Sequence, residues 1–207
     1  MNKNTPSGNS PGKRRSGEAY RELILEAARS LMREHGPESV SMHHIARKAG
    51  IGQASLYRRY ADKGEICSAL LRDSSERFLL RLETGLSENE NGTQLPPGRR
   101  LEQTIGLILD FIDEHADLLN LIKAEFTGKH QLTQFEHPFF LRLGAIGERL
   151  FESLIGQESS SPEVRFAASA FVSQLSPDLY LYRRKTGLSK EDIRSGTIRL
   201  FSSNLSS

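Results

Sequence analysis

Tryptophan is absent from this 207-residue chain, cysteine occurs once, and no apolar run approaches the roughly 20 residues needed to cross a bilayer. A single cysteine, Cys67, cannot close an intramolecular disulfide or supply a thiolate zinc cluster. The sequence therefore reads as that of a reducing compartment, with Cys67 an ordinary core residue. Met1 to Gly17 holds Lys3, Lys13, Arg14 and Arg15 with no apolar stretch behind them, so a secretory signal is excluded and a cytoplasmic protein without membrane association is expected.

Catalytic signatures are missing as well. The chain has no G-x-S-x-G, no phosphate loop and no dinucleotide fingerprint. His115 with Glu114 and Asp117, and His130 with Glu136 and His137, lack the i, i+4 histidine pair of a metalloprotease and read as solvated charge. No enzymatic activity, metal or cofactor is expected.

What is present is an uneven charge. Residues up to Ile66 carry twelve Lys and Arg against seven Asp and Glu, whereas Cys67 to Ser207 carries sixteen against nineteen, so the excess of positive charge sits in the first third. A basic end on an otherwise acidic chain is the footprint of a polyanion-binding protein. Residues 1–16, rich in Asn, Ser, Gly, Pro and basic side chains, have nothing to bury and are expected to form a disordered basic tail, with Arg14 and Arg15 plain surface charge.

From Glu18 onward the apolar spacing is helical. Leu23, Ile24, Ala27, Ala28, Leu31 and Met32 make one face, stopped by Gly36-Pro37. Ser41 caps a short second helix burying Ile45, Ala46 and Ala49, and Gly50 turns the chain. A third helix is predicted from Gln53 to Tyr60, with Leu56 and Tyr60 inward. Asp62 and Glu65 form a capping box for a fourth, whose stripe includes Ile66, Ala69, Leu70 and Phe78. After a loop at 87–98, helical stretches follow at 101–112, 118–126 and 139–155. A further helix runs from Pro162 to about Gln174, with an extension through a kink at Pro177 to Arg184 as the alternative, and a last one from Lys190 to Leu205 is boxed by Ser189 and Asp192 and faces inward through Ile193, Thr197, Leu200, Phe201 and Leu205. No strand alternation appears, so the fold is all-α. The expected organisation is a tail at 1–16, a three-helix domain at 17–66 and a larger helical domain at 67–207.

Two short helices joined by a tight turn within about 20 residues are the helix-turn-helix arrangement. Ala46 and Ala49 let the helices cross closely, Ile51 fills the gap between them and Leu56 pins the second helix, leaving Gln53, Ser55, Tyr57 and Arg58 on its outer side. Ile45-Ala46, Ala49-Gly50-Ile51, Ala54-Ser55-Leu56-Tyr57 and Asp62-Lys63, preceded by Ile24 to Ala28 and Gly36, resemble the TetR family of bacterial transcriptional regulators over about residues 18–70. Gly64 stands where that family usually has Glu, and Arg58-Arg59-Tyr60 replaces its aromatic-rich ending, adding charge for phosphate.

The resemblance implies base or near-base contacts by His43, Gln53, Ala54 and Ser55 and phosphate contacts by Tyr57 and Lys63, with Arg58 adding to the DNA-binding set. Side-chain chemistry agrees: Gln pairs bidentately with adenine, and Ala reaches only a thymine methyl. The resemblance makes 17–66 a helix-turn-helix DNA-binding domain and 67–207 an effector-binding and dimerisation domain, and it further implies a homodimer through the last two helices, a double-stranded DNA operator of palindromic form, and release by a small-molecule effector whose identity no motif encodes. Phe111, Phe126, Phe139 and Phe140 are the candidate pocket residues, although aromatics at such spacing also serve as ordinary core, as do Phe135 and Phe151. The alternative is a helical protein-interaction module whose basic end binds acidic partners without reading DNA sequence.

Overall fold

A computed structural model describes residues 17–87, 95–125 and 136–202. The basic tail, Phe126, His130, Phe135 and Leu205 lie outside the described residues. The described residues form nine α-helices and a 3-10 turn at Pro37–Ser39, with no strand among them. The helices are α1 Gly17–His35, α2 Met42–Lys48, α3 Gln53–Tyr57, α4 Lys63–Ser87, α5 Pro97–Glu125, α6 Pro138–Ile155, α7 Pro162–Gln174, α8 Pro177–Lys185 and α9 Lys190–Ser202. They divide into two compact units that meet between Arg59 and Tyr60, whereas the shift in charge falls at Ile66, inside the first turn of α4.

The first unit has a small aliphatic core: Ile24, Ala27, Ala28 and Met32 of α1, Val40, Met42, Ile45, Ala46 and Ala49 around α2, and Leu56 of α3 are buried. Its turns are built from hydrogen bonds that the sequence announces. Ser41 Oγ accepts from the His44 amide at 3.2 Å, satisfying a donor left over at the start of α2. At the other end Gly50 adopts a φ of 65°, which lets its amide reach Arg47 O at 3.2 Å and the Ile51 amide reach Ala46 O at 3.1 Å. This paired closure is a Schellman turn, and it re-aims the chain into α3.

Helix α3 ends at Tyr57 rather than Tyr60. The Arg59 amide donates to Leu56 O at 2.9 Å, three residues back, while the Arg59 guanidinium takes Ser55 O at 3.1 Å. A side chain thus occupies the carbonyl that a fourth-residue amide would otherwise fill, and the helix stops.

In the second unit α4 packs along α5, α6 pairs with α7, and α8 and α9 close on α5. The capping box at the start of α4 forms with a shift of one residue. Asp62 Oδ1 accepts from the Glu65 amide at 2.8 Å, and the Glu65 carboxylate accepts from the Ala61 amide at 2.6 Å. Ile66 and Phe78 are buried as expected, while Leu71, Leu79, Leu82 and Leu86 carry more of the burial than Ala69 and Leu70. Cys67 is fully buried.

α5 runs unbroken through 113–117, between the two apolar stretches read from sequence: Asp113 is tied to α8 and α9, and Ala116 is buried. α7 ends at Gln174 as its spacing predicts, and the alternative of one kinked rod through Pro177 does not form. Pro177 cannot donate an amide, α7 closes at Leu175 and α8 restarts behind Ser176. In α9 the Ser189–Asp192 box forms through bonds of 2.8 and 3.0 Å, and Ile193, Thr197 and Phe201 face inward. Leu200, expected on that same face, is 48% exposed.

Phe151, Phe171 and Phe201 meet edge to face at 5.3–5.6 Å between ring centres and form the aromatic centre of this unit. Polar groups fasten the helices around it. Arg142 of α6 grips both oxygens of Glu83 on α4 at 3.0–3.1 Å and reaches Glu76 at 2.7 Å. Tyr180 of α8 donates to Asp113 of α5, which with Asp110 also holds Lys190 of α9.

Candidate nucleic-acid interface

Of the five residues of α3 only Leu56 is buried, at 0% exposure. Gln53, Ala54 and Tyr57 are exposed, Ser55 is half-buried, and Arg58 follows as an exposed cap. Tyr57 is 53% exposed, an unusual position for an aromatic ring in so small a unit, because Leu56 already fills the inward slot. The helix therefore presents an amide, a methyl, a hydroxyl, a phenol and a guanidinium to solvent.

Several of these side chains are held in place. Arg58 Nη2 donates to Ser55 Oγ at 2.9 Å, leaving the Ser55 hydroxyl hydrogen available as a donor. The Gln53 carboxamide is hydrogen-bonded through Nε2 to Nδ1 of His43 on α2. His43 and His44 are both exposed, their rings 6.2 Å apart and tilted. The structure thus brings His43, Gln53, Ser55 and Arg58 together as two pairs on the surface of the first unit. Lys63 is half-buried at the first position of α4, in the second unit.

Arg59, exposed beside Arg58, also makes contacts within the first unit. Its guanidinium lies 4.6 Å from the centre of the Tyr20 ring, fastening the end of α3 to α1. Nothing in the sequence marks a pairing across 39 residues. On the flank of α2, Lys48 is likewise turned to Glu34 of α1 at 3.2 Å, while Arg47 is exposed.

The candidate effector residues fall at a different aromatic cluster from the Phe151 centre. Phe111 stacks on Phe78 of α4 at 4.2 Å, with the rings within 10° of parallel, and Phe139 lies 6.3 and 6.4 Å from the two. Phe140 meets Phe139 edge-on. His115 sets its ring against Phe111 at 4.8 Å, and burial holds its pKa below the usual histidine value. Phe78 belongs to this group although sequence placed it only in the α4 stripe. An open groove on α9, lined by Gly196, Arg199, Leu200 and Ser202, contains none of these rings.

Among the described residues no group of three or more His, Cys, Asp or Glu is placed to hold a metal ion, and no helix is long and apolar enough to cross a membrane. His137, read from sequence as solvated charge, is the N-cap of α6: its Nδ1 accepts from the Phe139 amide at 3.2 Å.

Residues 24–70 match the profile described as bacterial regulatory proteins, tetR family. An HTH-type transcriptional regulator of Staphylococcus aureus (strain MRSA252) is 26% identical over 140 residues, 68% of this chain and 71% of its own length. The fold matches a TetR-like transcriptional regulator from Rhodococcus sp. RHA1 with a TM-score of 0.57, at 21% identity over 93% of this chain and 98% of that one. It also matches the transcriptional regulator FadR from Bacillus subtilis in complex with stearoyl-CoA with a TM-score of 0.62, at 17% identity over 88% and 97% of the two chains.

Proposed function

The chain belongs to the TetR family of bacterial transcriptional regulators, and from that premise we propose that it is a repressor that binds a palindromic operator as a homodimer and is released by a small-molecule effector. The observation that carries this reading is the outer face of α3, on which Gln53, Ala54, Ser55, Tyr57 and Arg58 surround a single buried anchor, Leu56. Such a helix suits a major groove: Gln53 for adenine, Ala54 for a thymine methyl, Ser55 for a base edge, Tyr57 and Arg58 for phosphate. His43 stands beside them, and Lys63, at the start of α4, is the further phosphate ligand that the family pattern gives.

The dimer reading is supported by apolar surface that the single chain leaves uncovered on its last helices. Phe166 of α7 is 75% exposed, and Leu200 lies exposed beside Gly196 on α9. Ser169 and Ser173 of α7 turn their hydroxyls onto carbonyls of their own helix at 2.8 Å, so their hydrogens are not presented to solvent beside Phe166. A two-fold pairing there would set two recognition helices roughly 34–36 Å apart, one turn of B-DNA.

For the effector, Phe111, Phe139 and Phe140 are the lining residues in this reading, with Phe126 as a fourth. Phe78 gives the switch its route, because it belongs to α4 and stacks on Phe111. A ligand that repositions these rings and binds the two α4 placements with different affinity shifts the population between them. The stearoyl-CoA held by the Bacillus subtilis relative makes an apolar chain the first class to try. The test is selection from random duplex DNA, followed by titration of candidate effectors. Enrichment of one palindrome, with release by a compound that Phe111→Ala fails to answer, is the expected result. Binding without sequence preference would instead favour a basic interaction module.

A further inference from the structure

Glutamine is an ambiguous reader of bases, because its carboxamide can turn over about the last side-chain torsion. With the oxygen and one N–H pointing outward it matches adenine, which offers a donor at N6 and an acceptor at N7. With the NH2 group outward it offers donors only, which match the O6 and N7 acceptors of guanine. A glutamine that discriminates between the two purines needs a neighbour that selects one orientation.

His43 is placed to do this. It lies in the first turn of α2, Gln53 opens α3, and the Schellman turn at Gly50 brings the two exposed side chains into hydrogen-bond contact. We infer that His43 is a positioning residue for base reading: its Nδ1 accepts one N–H of Gln53, holds the amide nitrogen toward α2 and leaves the oxygen and the second N–H directed outward in the adenine pattern. Neither His44, whose ring is tilted 59° from that of His43, nor any hydroxyl is recorded in this bond. Specificity at one base pair of each half-site is then set by a residue that acts through Gln53. This inference rests on the reading of α3 as the DNA-reading helix.

The experiment uses the full-length protein and the operator enriched by the wild type. Affinities at fixed salt are compared for duplexes that differ only by A·T or G·C at the base pair where Gln53→Ala abolishes preference. In His43→Ala the adenine-to-guanine affinity ratio falls about two- to tenfold, the span of a single net hydrogen bond. His43→Leu, which likewise cannot accept, gives the same fall and replaces the alanine variant should that one unfold. His43→Asp restores the ratio, because its carboxylate can only accept, and the added negative charge weakens the compared duplexes alike and cancels in the ratio.

A ratio unchanged in both non-accepting variants, a loss in the aspartate variant as large as theirs, or a Gln53-dependent position that is not adenine overturns the inference while leaving the DNA-binding reading intact. A wild-type protein that enriches no sequence overturns that reading, and the inference with it.

Discussion

The two units differ in what their surface polar side chains do. In the second, Arg142 reaches from one helix to Glu83 and Glu76 on another, and Tyr180, Asp113 and Lys190 on three helices are occupied by one another. In the first, the polar residues of α3 extend into solvent, and the bonds they make, Gln53 to His43 and Arg58 to Ser55, arrange side chains at the surface without tying them into a core. Arg59 on Tyr20 and Lys48 on Glu34 hold the helices of the first unit together as the second unit's pairs do, whereas the side chains ordered on the outer face of α3 are, in the proposed reading, the ones left for a partner.

The most severe way to test it is to remove the anchor of each unit. Phe171→Ala opens the three-ring centre of the second unit and is expected to cost about 3–5 kcal/mol of stability, read by denaturant unfolding. Leu56→Ala, at the fully buried anchor of α3, is expected to cost about 2–5 kcal/mol and to abolish operator binding, measured by unfolding and by fluorescence anisotropy. Retained operator affinity in a folded Leu56→Ala protein would show that α3 does not carry recognition.

A sharper contrast follows from single polar deletions. Gln53→Ala should leave thermal stability nearly untouched and reduce discrimination at one base pair per half-site by about 1–3 kcal/mol. Lys63→Ala should weaken all sequences alike and lower the salt dependence by about one phosphate contact, read from affinity at several salt concentrations. Equal losses on operator and random DNA for Gln53→Ala would reverse its assignment.

The smallest effect belongs to the staple. Burial and the hydrogen bond to Asp113 push the Tyr180 hydroxyl from 10.0 up to about 12, and the same bond holds Asp113 below the usual carboxylate range. Because the folded pKa of Tyr180 is raised, its contribution is complete below about pH 10 and is lost as pH climbs toward 12. The lowered Asp113 works in the other direction, contributing above the ordinary carboxylate pKa and losing that contribution on acidification. Tyr180→Phe should cost about 1 kcal/mol at neutral pH and flatten the difference in melting temperature between pH 10 and 12, with DNA specificity unaffected.

Much of the first unit was legible because its signals are local. Ser41 and Gly50, and Asp62 just inside the second unit, act on backbone groups within a few residues, and each makes the turn or cap its chemistry requires. Leu56 and Tyr57 were separable as inward and outward by helical spacing alone. The contacts that position the site were not legible. Gln53 meets His43 and Arg59 meets Tyr20 across a turn and across a helix respectively, and neither pairing leaves a mark in composition or period. In the second unit Leu200 was misread as inward, since periodicity identifies an apolar stripe without showing how wide a strip the neighbouring helix covers.

Sequence by itself determined the all-α class, the caps at Ser41, Asp62 and Ser189, the turn between α2 and α3 and the TetR-like pattern that residues 24–70 match, because these depend on bonds and φ angles within a turn or two of chain. Only the tertiary structure decided that α3 stops at Tyr57, that the chain beyond Pro177 forms a separate helix, that Phe78 joins Phe111 and that Gln53 leans on His43. Those outcomes depend on which distant side chains meet, and the short-range rules of helix formation do not encode them.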